Sequence, residues 1–153
     1  MADDIEVTRR VEAAPAAVWS LVGDPTRIGA ISPECERIEW LDGADGPAPG
    51  ARFKGYNRKG LMRWTTTGTI VEHTPEREIV WDVELLGQSV ARWGFRLLPE
   101  ADGSATTVAQ FWQDRRSPIA NVVGRARAWD VPGHNRRGME QTLDTVQRVA
   151  ESP

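Results

Sequence analysis

The stretch Glu78–Leu98, EIVWDVELLGQSVARWGFRLL, decides the fold. Apolar side chains recur at every second position on both sides of Gly87, as Ile79, Trp81, Val83 and Leu85 before it and Ala91, Trp93, Phe95 and Leu97 after it. A period of two is typical of strands that bury one face, and a glycine between two such runs predicts a tight turn. Strands joined by so short a link are antiparallel, because a parallel return needs about a dozen residues or more.

The same alternation and the same short links extend in both directions along the chain. Predicted strands cover residues 5–12, 37–41, 51–58, 62–72, 78–85, 89–98 and 105–113. Segments rich in glycine and proline separate them, and DGADGPAPG at 42–50 is the longest. We therefore predict an antiparallel sheet of about six to seven strands, with one apolar face that another element has to cover.

Helices are predicted on both sides of these strands. Pro15 suits the first turn of a short helix, and Asp24 followed by Pro25 predicts the N-cap of a second one that runs to about Ser32. After a helical start at 117–118 and an interruption at 132–133, an amphipathic stripe follows from near residue 135. Its members are Met139, Leu143, Val146 and Ala150. A helix of about 17 residues spans roughly 25 Å, which is enough to cross a sheet.

Composition excludes several classes of protein. The chain has 153 residues, 40% of them hydrophobic, and a net charge of −3, so we expect one domain over residues 1–153 and no general attraction to nucleic acid. No stretch is long and apolar enough to span a bilayer, and the start MADDIEVTRR lacks the apolar core of a signal peptide. We therefore expect a cytoplasmic protein without an integral membrane segment. Homodimerisation is compatible with these features.

The chain has one cysteine and two histidines, His73 and His134. A single thiol forms no internal disulfide, and this residue set argues against a metal site; we also expect no cofactor. We interpret Cys35 as a small thiol that is buried or half-buried rather than as a nucleophile, because no catalytic signature surrounds it. His73 stands beside Pro75 in a predicted turn, where we expect it to be exposed.

Seven tryptophans against one tyrosine are the unusual feature of the composition. They are spread along the whole chain, as Trp19, Trp40, Trp64, Trp81, Trp93, Trp112 and Trp129. Each buries roughly 200 Å² and carries one N–H donor. The set predicts a large interior that holds polar groups as well as apolar ones.

The order of a strand, two short helices, a meander and a long terminal helix resembles the helix-grip architecture of the START and Bet v 1-like (SRPBCC) superfamily. Three segments are similar to its bacterial polyketide cyclase/dehydrase branch: VEAAPAAVWSLVGDPTRIGAISPE (11–34), GARFKGYNRKGLMRWTTTGTIVEHTPEREIVWDV (50–83) and HNRRGMEQTLDTV (134–146). The resemblance implies an α+β helix-grip fold, in which a curved antiparallel sheet wraps the C-terminal helix around an apolar cavity. The branch holds lipid carriers, aromatase/cyclases and hydrolases, so the function has to be argued from the site.

Strand alternation, continued into the implied cavity, selects the candidate site residues on the strands. On the terminal helix, Met139 is expected to face the tryptophans, and His134 lies near the helix entrance. The predicted ligand-binding set is Phe53, Asn57, Trp64, Trp81, Trp93, Gln110, Trp112, His134 and Met139. Each tryptophan has core filling as its alternative role, and the two amides have the alternative role of satisfying backbone groups. His134 is the candidate for acid–base catalysis, although a capping or solvated histidine is the more common case and the sequence shows no partner carboxylate.

Three functions remain open from the sequence. The first is binding of a small hydrophobic molecule, such as a polyketide, a lipid or an isoprenoid-like compound, between the sheet and the helix. The second is a polyketide aromatase/cyclase reaction in the same cavity, with His134 and either Asn57 or Gln110 near the reacting carbon. The third is a partner-binding module that uses the outer sheet face or an arginine patch. That patch consists of Arg115, Arg116, Arg125, Arg127, Arg136 and Arg137.

Overall fold

A computed structural model describes residues 4–116 and 131–153 of the chain. Trp129, Arg125, Arg127 and the helical start predicted at 117–118 lie outside these residues. Within them the chain forms seven strands, two α-helices and one 3₁₀ helix. In chain order these are β1 (Ile5–Val11), α1 (Pro15–Val22), the 3₁₀ helix (Pro25–Ala30), β2 (Cys35–Trp40), β3 (Arg52–Lys59), β4 (Met62–Thr74), β5 (Glu78–Leu85), β6 (Gln88–Pro99), β7 (Thr106–Asp114) and α2 (Val131–Ala150).

The strands form one antiparallel sheet in the order β1-β7-β6-β5-β4-β3-β2. Its register shifts at three places, between Cys35 and Arg37, between Ile70 and Glu72, and between Val83 and Glu84. A β-bulge bends its strand and increases the local twist, so these shifts account for a sheet that curves. The predicted antiparallel sheet with one covered face is therefore confirmed.

Helix α2 supplies the predicted cover, and it packs mainly against one side of the sheet. Its contacts with strands are chiefly with β1 and β7, and it also contacts α1. Met139, Leu143 and Val146 of the predicted stripe are fully buried. At the other edge the 3₁₀ helix packs on β2. This arrangement is the helix-grip fold that the sequence indicated.

Two local predictions need correction. Within the described residues helix α2 already runs from Val131, four residues before the start predicted near Asn135, so Pro132 and Gly133 do not interrupt it. His73 belongs to β4 and is half-buried against the Trp19 ring, with 5.6 Å between ring centroids. The bulge after Ile70 is the reason, since it pairs His73 with the fully buried Ile79.

The outer face of the sheet is covered locally by its own side chains. Phe111 is buried there, and its ring lies over Gly94 of the neighbouring strand β6. The Arg96 guanidinium in turn lies 4.3 Å from the centroid of that ring. A Cβ atom at position 94 would overlap the ring and would lie 2.8 Å from the carbonyl oxygen of Ile79. Strand β6 therefore requires a glycine at this position.

We expect Gly94→Ala to lower the free energy of unfolding by about 1–3 kcal/mol, because neither the ring nor the backbone carbonyl has room to move aside. Urea unfolding followed by circular dichroism measures the change. Gly46→Ala is the matched control, since a Cβ atom there meets nothing within 4 Å. Equal stability of the two variants would contradict the close packing of Phe111 on Gly94.

Candidate functional site

A cavity of about 310 Å³ lies between the inner face of the sheet and the N-terminal half of α2. We refer to it as the apolar chamber. It exists because α2 rests on β1 and β7, whereas large side chains of β3 to β6 face the space beside the helix. All of the predicted ligand-binding residues except Met139 lie in its wall. These are Phe53, Asn57, Trp64, Trp81, Trp93, Gln110, Trp112 and His134.

A row of tryptophans crosses the sheet and forms the main wall of the apolar chamber. Trp81 on β5 is paired in register with Trp93 on β6, which is paired with Trp112 on β7. The Trp93 and Trp112 rings lie 6.4 Å apart between centroids. Trp81 and Trp112 are 7% and 3% exposed, whereas Trp93 and Trp64 are half-buried. The first two therefore also serve the core, and the other two keep more of their surface in open space.

Phe53 extends the aromatic wall towards β3. Its ring meets Trp81 edge to face, at 6.3 Å between centroids, and Trp81 in turn contacts Phe95 at 6.1 Å. Such rings are stiff and give a preformed apolar surface that flat or branched hydrophobic groups can contact without large losses of side-chain entropy.

Few polar groups reach the apolar chamber from the sheet. Gln110 is 7% exposed, and within the described part of the chain its Oε1 atom is buried without a hydrogen-bond partner. Asn57 donates from Nδ2 to Thr66 Oγ1 at 3.3 Å. Thr106 on β7 donates to the backbone oxygen of Ala13 at 2.9 Å. A buried acceptor without a hydrogen bond lowers stability. A ligand that donates a hydrogen bond to Gln110 Oε1 would therefore bind favourably.

The sequence missed the acidic partner of His134. Glu34, in the segment before β2, places Oε1 3.1 Å from His134 Nε2, and both side chains line the apolar chamber. Both are partly buried, with 30% and 26% of their side chains exposed. In a neutral imidazole, donation from Nε2 to this carboxylate leaves the lone pair on Nδ1. No local pattern links positions 34 and 134, and only the fold brings them together.

A second cavity of about 330 Å³ adjoins the first, and we call it the outer chamber. The two chambers share wall residues, among them Trp93, Gln110 and His134. Met139, predicted to face the tryptophans, lines the outer chamber instead. Cationic side chains from the β3–β4 hairpin and from α2 also contribute to its wall; they are Arg58, Lys59 and Arg137. The space under the helix therefore has an apolar part and a charged part.

The predicted arginine patch is not uniform. Arg116 lines the apolar chamber and donates from Nε and Nη2 to the two carboxylate oxygens of Asp114, at 3.0 and 2.7 Å. The Asp114 side chain is 1% exposed, so this pair is held at the end of β7. Arg136 and Arg137 are exposed on α2. Of the described arginines of the patch, Arg116 is therefore held by a buried carboxylate, whereas Arg115, Arg136 and Arg137 are exposed.

Searches of the described residues for two other kinds of site gave negative results. Among residues 4–116 and 131–153, no cluster of three or more His, Cys, Asp and Glu side chains is placed to hold a metal ion. In the same residues, no helix has the length and hydropathy needed to cross a membrane.

A family model described as polyketide cyclase / dehydrase and lipid transport matches residues 2–151. The Polyketide_cyc-like protein Cgl2372 from Corynebacterium glutamicum superimposes with a TM-score of 0.68 at 25% identity, over 99% of this chain and 93% of that one. The major latex-like protein 151 from Panax ginseng gives a TM-score of 0.69 at 9% identity, over 97% of both chains. The di-domain ARO/CYC protein BexL of the BE-7585A biosynthetic pathway gives 0.66 at 19% identity, over 98% of this chain and 50% of that one.

At this level of identity the ginseng protein and BexL show the fold alone. They confirm the helix-grip, Bet v 1-like architecture. No curated protein matches the sequence.

Cys35 lies in the wall of the apolar chamber at the start of β2. Burial raises the pKa of its thiol to about 11, and the nearby carboxylates of Glu34 and Glu36 also disfavour the thiolate. Because the thiolate is the nucleophile, a thiol with so high a pKa is inert near neutral pH. This position agrees with the half-buried thiol that we expected.

We expect the folded protein to react with a thiol-specific disulfide reagent at pH 8 at least about ten-fold more slowly than the urea-unfolded chain, because unfolding returns the pKa to near 8.5. The folded rate should climb as the pH approaches 11. Reaction is followed by absorbance of the released thiolate. A folded protein that reacts as fast as the unfolded chain at pH 8 would contradict the buried position of Cys35.

Proposed function

The chain belongs to the polyketide cyclase / dehydrase and lipid transport family, and from this premise we propose that it binds a small hydrophobic molecule in the apolar chamber. Suitable ligands are polyketides, lipids or isoprenoid-like compounds. The observation that carries the proposal is a tryptophan-walled cavity of about 310 Å³ between the sheet and α2. Its volume lies in the range of about 300–1,000 Å³ that is usual for small-molecule sites.

The composition of the wall supports binding of an apolar body with one anchored polar group. Burying a methylene group contributes about 0.8 kcal/mol, so a body of about eight carbons gains roughly 6 kcal/mol before the entropic costs of association. Gln110 Oε1 offers an acceptor for a ligand hydroxyl or N–H. Such a group would regain the hydrogen bond that this oxygen lacks within the described residues.

The outer sheet face offers less support for a partner-binding module. In its central part Arg92 donates two hydrogen bonds to Asp82, at 2.6 and 3.0 Å, and these lower the pKa of the Asp82 carboxyl. Arg96 donates to Glu78 at 2.6 Å. Because ion pairs cover this part of the outer face, it lacks the continuous apolar surface that protein partners usually require.

A second candidate function, proton abstraction next to a ligand carbonyl, is favoured by the pairing of Glu34 with His134 in the chamber wall. A carboxylate that accepts from one imidazole nitrogen holds the ring in a fixed orientation. The imidazole would then act as the base that takes the proton from the carbon beside the carbonyl. An aromatase/cyclase reaction requires this enolisation step.

We expect Val83→Trp to weaken binding of the neutral fluorescent probe N-phenylnaphthylamine by at least about ten-fold, because the new ring occupies the apolar chamber that Val83 lines. Glu84→Trp is the matched control: it adds the same side chain one position later, at an exposed residue outside the chamber wall. Probe fluorescence measures the dissociation constants. If Val83→Trp and the wild type bind the probe equally, the chamber is not the binding site.

For the second candidate, we expect the wild type to accelerate exchange of the methyl protons of acetophenone in D₂O, and His134→Ala to remove at least about 90% of that acceleration. Glu34→Gln should lower the rate to a smaller extent, because the ring loses its orienting carboxylate. Proton NMR follows the exchange, and His73→Ala serves as the histidine control. Undiminished exchange in His134→Ala would eliminate His134 as the base.

A further inference from the structure

The outer chamber has more cationic groups in its wall than the apolar chamber. Among the described residues, this wall holds the cations Arg58, Lys59 and Arg137 and the carboxylate Glu34. Glu34 is already in contact with His134, at 3.1 Å. The chain as a whole carries a net charge of −3, so this concentration of positive charge runs against the overall balance.

The cations lie on two different elements, the β3–β4 hairpin and α2. Hydrogen bonds to backbone oxygens hold Arg58 of the hairpin in place. The Arg58 N–H donates to the backbone oxygen of Glu34 at 2.9 Å, and this contact joins the end of β3 to the segment before β2. The Arg58 Nε also donates to the Gly60 oxygen at 2.8 Å, which holds its guanidinium beside the hairpin turn. Arg137 faces the same space from α2. A bound anion would therefore bridge the hairpin and the helix.

The two chambers are adjacent, because Trp93, Gln110 and His134 belong to the walls of both. A molecule that extends through both chambers would contact aromatic rings with the part in the apolar chamber and guanidinium groups with the part in the outer chamber. Anionic oxygens are well matched to guanidinium groups, which donate two parallel hydrogen bonds to a carboxylate or a phosphate. A neutral head group gains less from this end of the site, because it lacks the charge attraction to the guanidinium groups.

We propose that the outer chamber binds the anionic head group, a carboxylate or a phosphate, of an amphiphile whose apolar body occupies the apolar chamber. The proposal rests on the proposed ligand-binding function and narrows its ligand class. Arg58 and Arg137 bind the head group, and the tryptophan row binds the body. The pair Glu34–His134 lines both chambers, and it would lie beside the bond that joins the head group to the apolar body of the ligand.

The test compares two probes with the same chain and different heads, decanoate and decanamide, by quenching of tryptophan fluorescence at low ionic strength. The wild type should bind decanoate at least about five-fold more tightly than decanamide, because the carboxylate gains charge-assisted hydrogen bonds. The double variant Arg58→Gln/Arg137→Gln should bind both probes with the affinity that the wild type shows for decanamide. Decyl phosphate in place of decanoate tests the phosphate head in the same way.

The control is Arg77→Gln, which removes one exposed arginine from the β4–β5 turn at the opposite end of the sheet. It should keep the wild-type preference for decanoate, which separates a local site from the effect of net charge. Equal affinity of the wild type for decanoate and decanamide would overturn the head-group site and leave the apolar chamber as proposed. A double variant that keeps the preference would overturn it as well. A wild type that binds neither probe would count against both proposals.

Discussion

The position of helix α2 is the constraint on which the rest of the structure depends. The helix buries its apolar stripe against β1, β7 and α1, so it does not cover the inner face of β3 to β6. The rings that these strands carry then line the apolar chamber, and Trp81 and Trp112 also pack in the core. A chain that keeps such a space gains stability when a ligand fills it.

The tryptophan row couples this space to the fold. Trp81, Trp93 and Trp112 lie side by side because the register of β5, β6 and β7 aligns them, and the same register builds the sheet. The wall is therefore as rigid as the strands that carry it. The Glu34–His134 pair, in contrast, comes from the edge of the site, with Glu34 in the segment before β2 and His134 in the N-terminal part of the described α2. Rigid apolar walls with a polar rim suit selection by shape first and by head group second.

The inner face of the sheet could be predicted from sequence because alternation is a local property of the chain. The residues around Gly87 predict both their strands and the side on which Trp81 and Trp93 lie. β-Bulges shift the alternation by one residue, and no feature of the sequence marks them. The bulge after Ile70 places His73 on the inner side of the sheet, although we expected this residue to be exposed. The Glu34–His134 contact joins positions 100 residues apart. Met139 shows a further limit, since a helical stripe predicts burial but not which of two chambers the side chain meets.

A crystal structure of the protein purified without removal of bound lipids tests the central claim most directly. The account predicts electron density for a small molecule in the apolar chamber, in contact with Trp93 and within hydrogen-bond distance of Gln110 Oε1. Its polar end should point towards the outer chamber. A chamber closed by the tryptophan side chains themselves, with no space between the sheet and α2, would contradict the account.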